Sequence, residues 1–269
     1  MASKKVVLVT GASSGLGLAC AEHLARAGHR VFGASRRALA SSLFEPVQMD
    51  VRDDSSVNSA IRQILDREKR IDAVINNAGI AIAGALEDTS VEDARAQFDV
   101  NFFGALRVCR AVLPGMRERR AGHVVNISSI AGLVAVPYQS LYSASKFALE
   151  GLTESLRLEV AGFGIRVVLI EPGDHCTELT ANRRATAQSQ THAAYRVSFD
   201  RALSRMAADE QNGPRPAAVA RLVARVLDNP SPRLRYTTGP IHERAAVWLK
   251  RMLPYEAIEK LMSNYYSRP

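Results

Sequence analysis

The sequence is poor in cysteine, with three in 269 residues. Cys20, Cys109 and Cys176 lie far apart and are odd in number. That excludes a disulfide framework and a cysteine-based metal site, so no metal is expected and a reducing, cytoplasmic compartment is. No apolar run is long enough to cross a bilayer. The run Val6–Val9 after Lys4 and Lys5 is too short for a signal peptide, and no small-residue cleavage site follows it; it reads as a first strand. Repeats and low-complexity tracts are missing, and no linker precedes about residue 171. Aromatic residues make up only 6%, and the arginines are scattered without an aromatic-basic motif, which argues against nucleic-acid binding.

What is present is ordinary for a globular chain: 47% hydrophobic and 23% charged residues. The length allows one large α/β domain or two small ones. We read one domain, with residues 1–170 as its core and 171–269 as a substrate lid and C-terminal helices. The net charge is +8. Residues 1–170 hold 20 basic and 17 acidic side chains, and residues 171–269 hold 15 and 10. A solvated basic surface is favoured over an acidic substrate or an anionic membrane surface.

Short β-branched runs alternate with helical patterns. Strands are expected at Val6–Thr10, Val31–Ala34, Val47–Met49, Ala73–Asn76, His123–Ile127 and Arg166–Ile170. They are continuous apolar runs, as in strands buried on both faces of a parallel sheet. Helices are expected at Leu16–Ala27, Ser55–Glu68, Val91–Arg120 and Leu141–Phe163, with Gly28 and Gly164 as stops. This alternation predicts a doubly wound parallel α/β sheet, the Rossmann arrangement. Beyond Glu171-Pro172-Gly173, residues 177–212 are polar and weakly helical, and read as a lid. Helices are expected at Pro216–Leu227, Ile241–Leu253 and Tyr255–Tyr265, and a last strand at Leu234–Thr237.

The first strand runs into TGASSGLG, Thr10 to Gly17, and then a helix. This order favours a dinucleotide site over an unliganded turn. Gly11 allows the tight turn, Gly15 a close approach to a pyrophosphate, and Gly17 close packing of helix on sheet. Ser13, Ser14 and Leu16 complete the turn, whose helix amides face the phosphates. At the second strand's end an acidic residue would hold the ribose hydroxyls of NAD. Arg36 and Arg37 stand there instead, and suit the 2′-phosphate of NADP(H). Asp50 and the Val51 backbone, just past the third strand, are expected beside the adenine.

Tyr142-Ser143-Ala144-Ser145-Lys146 opens a long helix, and the i, i+4 spacing puts Tyr142 and Lys146 on one face. A neighbouring ammonium and a helix N-terminus both favour the phenolate, so a depressed tyrosine is expected, able to give and take a proton.

These motifs are identified as those of the short-chain dehydrogenase/reductase family. The resemblance rests on TGASSGLG (10–17), NNAG (76–79), Asn101, Ser128-Ser129, YSASK (142–146) and the Pro172-Gly173 turn with Thr177. They stand in family order and spacing over residues 5–178. The stretch YSASKFALEGLTESLRLEV is similar to steroid- and retinol-active members. The resemblance implies that Ser129 hydrogen-bonds the substrate oxygen, with Ser128 as second choice. It implies that Lys146 also holds the nicotinamide ribose and that Asn101 supports a water linking Lys146 to solvent. Asn77, Ala78 and Gly79 would lie along the adenine ribose. Pro172 and Gly173 would flank the nicotinamide, with Thr177 near its carboxamide or the pyrophosphate.

The expected activity is NADP(H)-dependent interconversion of a ketone or aldehyde and an alcohol. The segment Ile130 to Tyr138 is almost wholly apolar, which favours a lipophilic, steroid- or retinoid-like substrate. Two rivals are a 3-oxoacyl-thioester reductase and a non-catalytic NADP-sensing regulator. In Asp174-His175-Cys176, His175 reads as a solvated loop residue and Cys176 as structural. The two long helices are expected to pair subunits into a homodimer or homotetramer. Trp248, Leu249, Met252 and Leu253 read as part of a packed helix in preference to a membrane-surface one.

Overall fold

The computed structural model describes residues 4–267. Its sheet strands are β1 (Val6–Thr10), β2 (Arg30–Ser35), β3 (Glu45–Gln48), β4 (Ala73–Asn76), β6 (Gly122–Ile127), β7 (Ile165–Pro172) and β9 (Arg235–Thr238). β5 (Ile82–Ala83) and β8 (Arg184–Ala185) form a separate two-stranded ladder. The main sheet is parallel in the order β3-β2-β1-β4-β6-β7-β9.

Alternation explains why β1 reads as an unbroken apolar run. Val6 and Leu8 point to one face, where they meet Val57, Ile61 and Ile64 of α2 (Asp54–Glu68) and Val108, Val112 and Met116 of α4 (Gly104–Glu118). Val7 and Val9 point to the other, onto Cys20, Ala21 and Leu24 of α1 (Gly15–Arg26) and Val219 and Val223 of α9 (Ala217–Asp228). Each such Val or Leu, removed from water on either face, contributes roughly 1.5–3 kcal/mol. That two-sided burial holds the strand ends where the site is built.

The chain runs from β1 outward to β3 and then restarts at β4 on the other side of β1. At this switch point the connections diverge and leave a crevice beyond the strands' carboxyl ends. Each expected strand and helix is found, with ends shifted by a few residues, except over 91–120. There α3 (Val91–Phe98) passes through a π-helical turn at Asp99–Phe103 into α4. Asn101 sits in this turn, and its buried side chain bonds the Ile80 backbone and Ser145. α5 (Ser140–Glu159) carries the Tyr-x-x-x-Lys face.

The 177–212 segment holds α6 (Leu179–Asn182), α7 (Ala187–Thr191) and α8 (Arg196–Asn212). It is tied down by β5–β8 pairing and by Ser189, whose hydroxyl accepts the Ala85 N–H and donates to Asp88. At the far edge, Arg235 of β9 pairs with Glu150 and Glu154 of α5 and Glu171 of β7. α10 (Ile241–Met252) and α11 (Tyr255–Ser267) then return toward the crevice. Trp248 and Met252 of α10 are exposed, contrary to the expectation of a packed helix, because Val247 is the buried contact of this short helix. No helix among the described residues is long and apolar enough to cross a membrane.

Candidate active site

Two cavities meet at the carboxyl ends of the strands. The larger, about 400 Å³, is a groove along the switch point. The glycine turn supplies Gly11, Ser13, Ser14, Gly15 and Leu16; β2 and β3 supply Arg36, Arg37, Asp50 and Val51. Asn77, Ala78 and Gly79 follow β4, and Tyr142, Lys146 and Thr177 close the inner end. Gly17 lies behind this wall: a Cβ there would stand 2.2 Å from the Gly11 carbonyl oxygen and 2.4 Å from Asn77 Nδ2. Pro172 and Gly173 line the second cavity, and Asn101 lines neither. The sequence missed Ile80, Ala81, Val100, Ile127 and Asn182 in the groove, none of which belongs to a motif.

The groove has the chemistry of a dinucleotide cradle. Gly11 and Gly15 have φ of +67° and +55°, where a side chain would be strained. Ser14 precedes α1 without capping it, and the first turn has no acidic residue. The first amides and the positive end of the helix are therefore left for an anion. Asn77 Nδ2 donates to the Thr10 carbonyl at 3.0 Å, and the Thr10 hydroxyl accepts the Asn77 and Ala78 amides, so β1 and β4 are stitched at the turn. Arg36 and Arg37 are exposed at the outer end, while Asp50 is engaged by Arg52 at 2.7 Å. That contact holds the Asp50 carboxyl below the usual range.

Tyr142, Thr177, Leu16 and Ser128 line both cavities. Lys146 is 5% exposed, and its Nζ donates to the Ile127 carbonyl at 2.8 Å and lies 5.8 Å from the Tyr142 ring centroid. Burial pushes the ammonium down to about 8. The Tyr142 phenol is pushed up to about 12 by burial, against a hydrogen bond with Ser129 that acts the other way. The expected depression of Tyr142 is thus reversed: desolvating the phenolate outweighs an ammonium set against the ring. Ser129 Oγ also accepts the Ala131 N–H at 3.1 Å. Ser128 is buried, with no hydrogen-bond partner for its hydroxyl among the described residues. Asn101 reaches Ser145, one residue before Lys146, at 3.1 Å.

The second cavity, about 280 Å³, has the apolar wall expected after Ser129, formed by Ile130, Ala131, Val134 and Val136. Its opposite wall is polar: Asp174, His175, Arg183, Glu210 and Glu243. His175 is 4% exposed, not solvated as expected, because the chain at Gly213 closes over it. Cys176 is exposed and free, so it is not a packing residue. This wall converges from segments far apart in sequence, and no local pattern announces it.

The glycine-turn crevice on a parallel sheet, with a tyrosine and lysine at its inner end, defines a nicotinamide-dependent oxidoreductase fold. The model of the short chain dehydrogenase family matches residues 5–188, and the chain belongs to that family. It is 39% identical over 266 residues, 98% of both chains, to a 3-ketodihydrosphingosine reductase of Bacteroides thetaiotaomicron. Bovine retinol dehydrogenase 8 is 36% identical over 257 residues, covering 87% of this chain and 81% of that one. A solved short-chain dehydrogenase from Streptomyces avermitilis superposes with a TM-score of 0.83 at 35% identity, covering 98% and 97% of the chains. The chain is therefore an oxidoreductase of this family, whose fold binds NAD or NADP and whose members act on small molecules.

Proposed function

We propose that the protein is an NADP(H)-dependent reductase of lipophilic ketones. The observation that carries this reading is Tyr142 on the shared wall of the groove and the apolar-sided cavity. The Tyr142 phenol is protonated at neutral pH and faces the cavity, so it can give its proton to a carbonyl oxygen held there. Ser129, already hydrogen-bonded to Tyr142, would donate to the same oxygen and polarise the carbonyl.

Lys146 would hold the ribose hydroxyls and steady the phenolate once the proton has left. Asn101 and Ser145 position its helix turn, and a water beside them would return the proton. The groove would be filled by the dinucleotide, with phosphates at Gly11–Gly17, adenine at Asp50 and Val51, and ribose along Asn77–Gly79. The Arg36 and Arg37 guanidinium groups would take a 2′-phosphate, with Ser13 adding a donor. Pro172, Gly173 and Thr177 would meet the nicotinamide end. Bound NADPH supplies the hydride.

The apolar wall from Ile130 to Val136 supports a lipophilic substrate, as do the substrates in the names of the two relatives. Residues 171–269 would act as lid and terminal cover of a single unit. Exposed Phe103, at the end of the π-helical turn that leads into α4, and exposed Phe147 and Leu158 on α5 support pairing of subunits through these helices in a dimer or tetramer. The test is a panel of aliphatic ketones, steroids and retinoids followed by loss of NADPH absorbance. Turnover of apolar ketones, abolished in Tyr142→Phe with cofactor binding intact, is expected; turnover retained in that variant overturns the assignment.

A further inference from the structure

The polar wall of the smaller cavity carries charge that ketone reduction does not use. Glu243 of α10 folds its carboxylate against the end of β7. Its Oε2 accepts the Asp174 N–H at 2.9 Å, while Oε1 has no hydrogen-bond partner among the described residues. The Asp174 carboxyl also hydrogen-bonds Glu243, and burial with this contact pushes it up to about 8. Two carboxylates in contact repel unless a proton or a cation lies between them. The one basic group in salt-bridge range of this pair among the described residues is His242, whose Nε2 is 3.9 Å from Glu243 Oε1 and whose side chain is 59% exposed. The guanidinium of the same wall, Arg183, is committed to Glu210, whose other oxygen takes the Thr180 hydroxyl.

His175 makes an independent observation. Its ring is buried and lines the cavity, and Nδ1 lies 2.9 Å from the Gly173 carbonyl oxygen. A carbonyl only accepts, so in the neutral ring Nδ1 carries the proton and Nε2 is a bare acceptor. Nε2 has no partner among the described residues. The cavity wall therefore presents Glu243 Oε1 and His175 Nε2 with no hydrogen-bond partner among the described residues, beside an Asp174 carboxyl bonded to Glu243. Buried acceptors of this kind are destabilising unless a donor arrives.

A primary ammonium is all donor, positively charged and small enough to share the cavity with an alkyl chain. Arg183 keeps one unpartnered N–H, at Nε, on the same wall; that suits an oxygen of the ligand. Asp174 and Tyr142 line the same cavity of about 280 Å³, so the amine would sit near the carbonyl. We propose that Glu243, Asp174 and His175 form an ammonium-binding subsite, and that the preferred substrate is an aliphatic ketone with a primary amine near its carbonyl. This rests on the ketone-reductase reading above and names its substrate class.

The experiment compares 2-aminododecan-3-one with dodecan-3-one as NADPH-dependent substrates of the full chain. In the wild type, kcat/KM for the amino ketone is expected to exceed that for the plain ketone at least tenfold. In Glu243→Gln and Asp174→Asn that ratio is expected to fall tenfold or more, through KM for the amino ketone. A wild-type ratio near one overturns the subsite whatever the variants do, while reduction of dodecan-3-one leaves the ketone-reductase reading standing. A wild-type preference that both variants retain overturns the assignment to Glu243 and Asp174. If neither ketone is reduced, the subsite and the reading beneath it fall together.

Discussion

The groove and the cavity share Tyr142 but are built by different rules. Most of the groove is walled by short segments just past the carboxyl ends of strands: Gly11–Leu16 after β1, Arg36 and Arg37 after β2, Asp50 and Val51 past β3, Asn77–Gly79 after β4. The sheet order alone sets those ends side by side. The cavity takes one wall from the turn after β6 and the other from Asp174–Arg183, α8, α10 and α11. Its contacts are side chains carried on connections, which vary freely without disturbing the sheet. The groove is thus a property of the fold, and the cavity a property of this chain.

Four measurements sharpen that division, from the largest effect to the smallest. Tyr142→Phe, at the junction, is expected to lower turnover about a thousandfold, within the range for a lost general acid, while NADPH fluorescence titration stays near wild type. A variant that turns over normally would place the proton donor elsewhere. Gly17→Val strikes the groove from behind, since its Cβ would stand 2.2 Å from the Gly11 carbonyl oxygen. A destabilisation of about 1–3 kcal/mol and at least tenfold weaker NADPH binding are expected, read by thermal melt and titration. Unchanged binding would mean that the turn does not hold the phosphates.

Arg36→Asp is expected to cut kcat/KM with NADPH roughly 10–100-fold and to spare NADH, the loss of a charge-assisted hydrogen bond or two. Equal cofactor preference in both proteins would remove the argument for NADP(H). The smallest effect is in the pH profile. Lys146 has its ammonium pushed down to about 8, so it loses its proton as pH rises through that value. The kcat/KM for dodecan-3-one should therefore decline above about pH 8. Asp174 is also pushed up to about 8, so the same limb must persist in Asp174→Asn for the lysine to be its source.

Most of the groove was legible because its signals are local. TGASSGLG follows a strand and opens a helix, and both features lie within a dozen residues of each other. The continuous apolar strands were legible because Val6 to Val9 face two cores by simple alternation. Asn101 was named from its motif position, but the π-helical turn in which it sits was not legible, since its partner Ile80 lies 21 residues away. The β5–β8 ladder joins Ile82 to Arg184, a pairing that no window of sequence can display. His175 was misread because burial by the chain at Gly213 is a tertiary fact.

The same boundary runs through Tyr142. Spacing alone places it beside Lys146 on one helix face, and motif order alone assigns the reaction class. Local pattern therefore suffices for the sheet, the glycine turn and the Tyr142–Lys146 helix face, because each depends on neighbours in the chain. Only the folded structure decides the sign of the tyrosine's shift, since desolvation depends on what the whole chain packs around the phenol. Only the folded structure sets Glu243, Asp174 and His175 around one cavity, since their meeting depends on where α10 returns to the sheet.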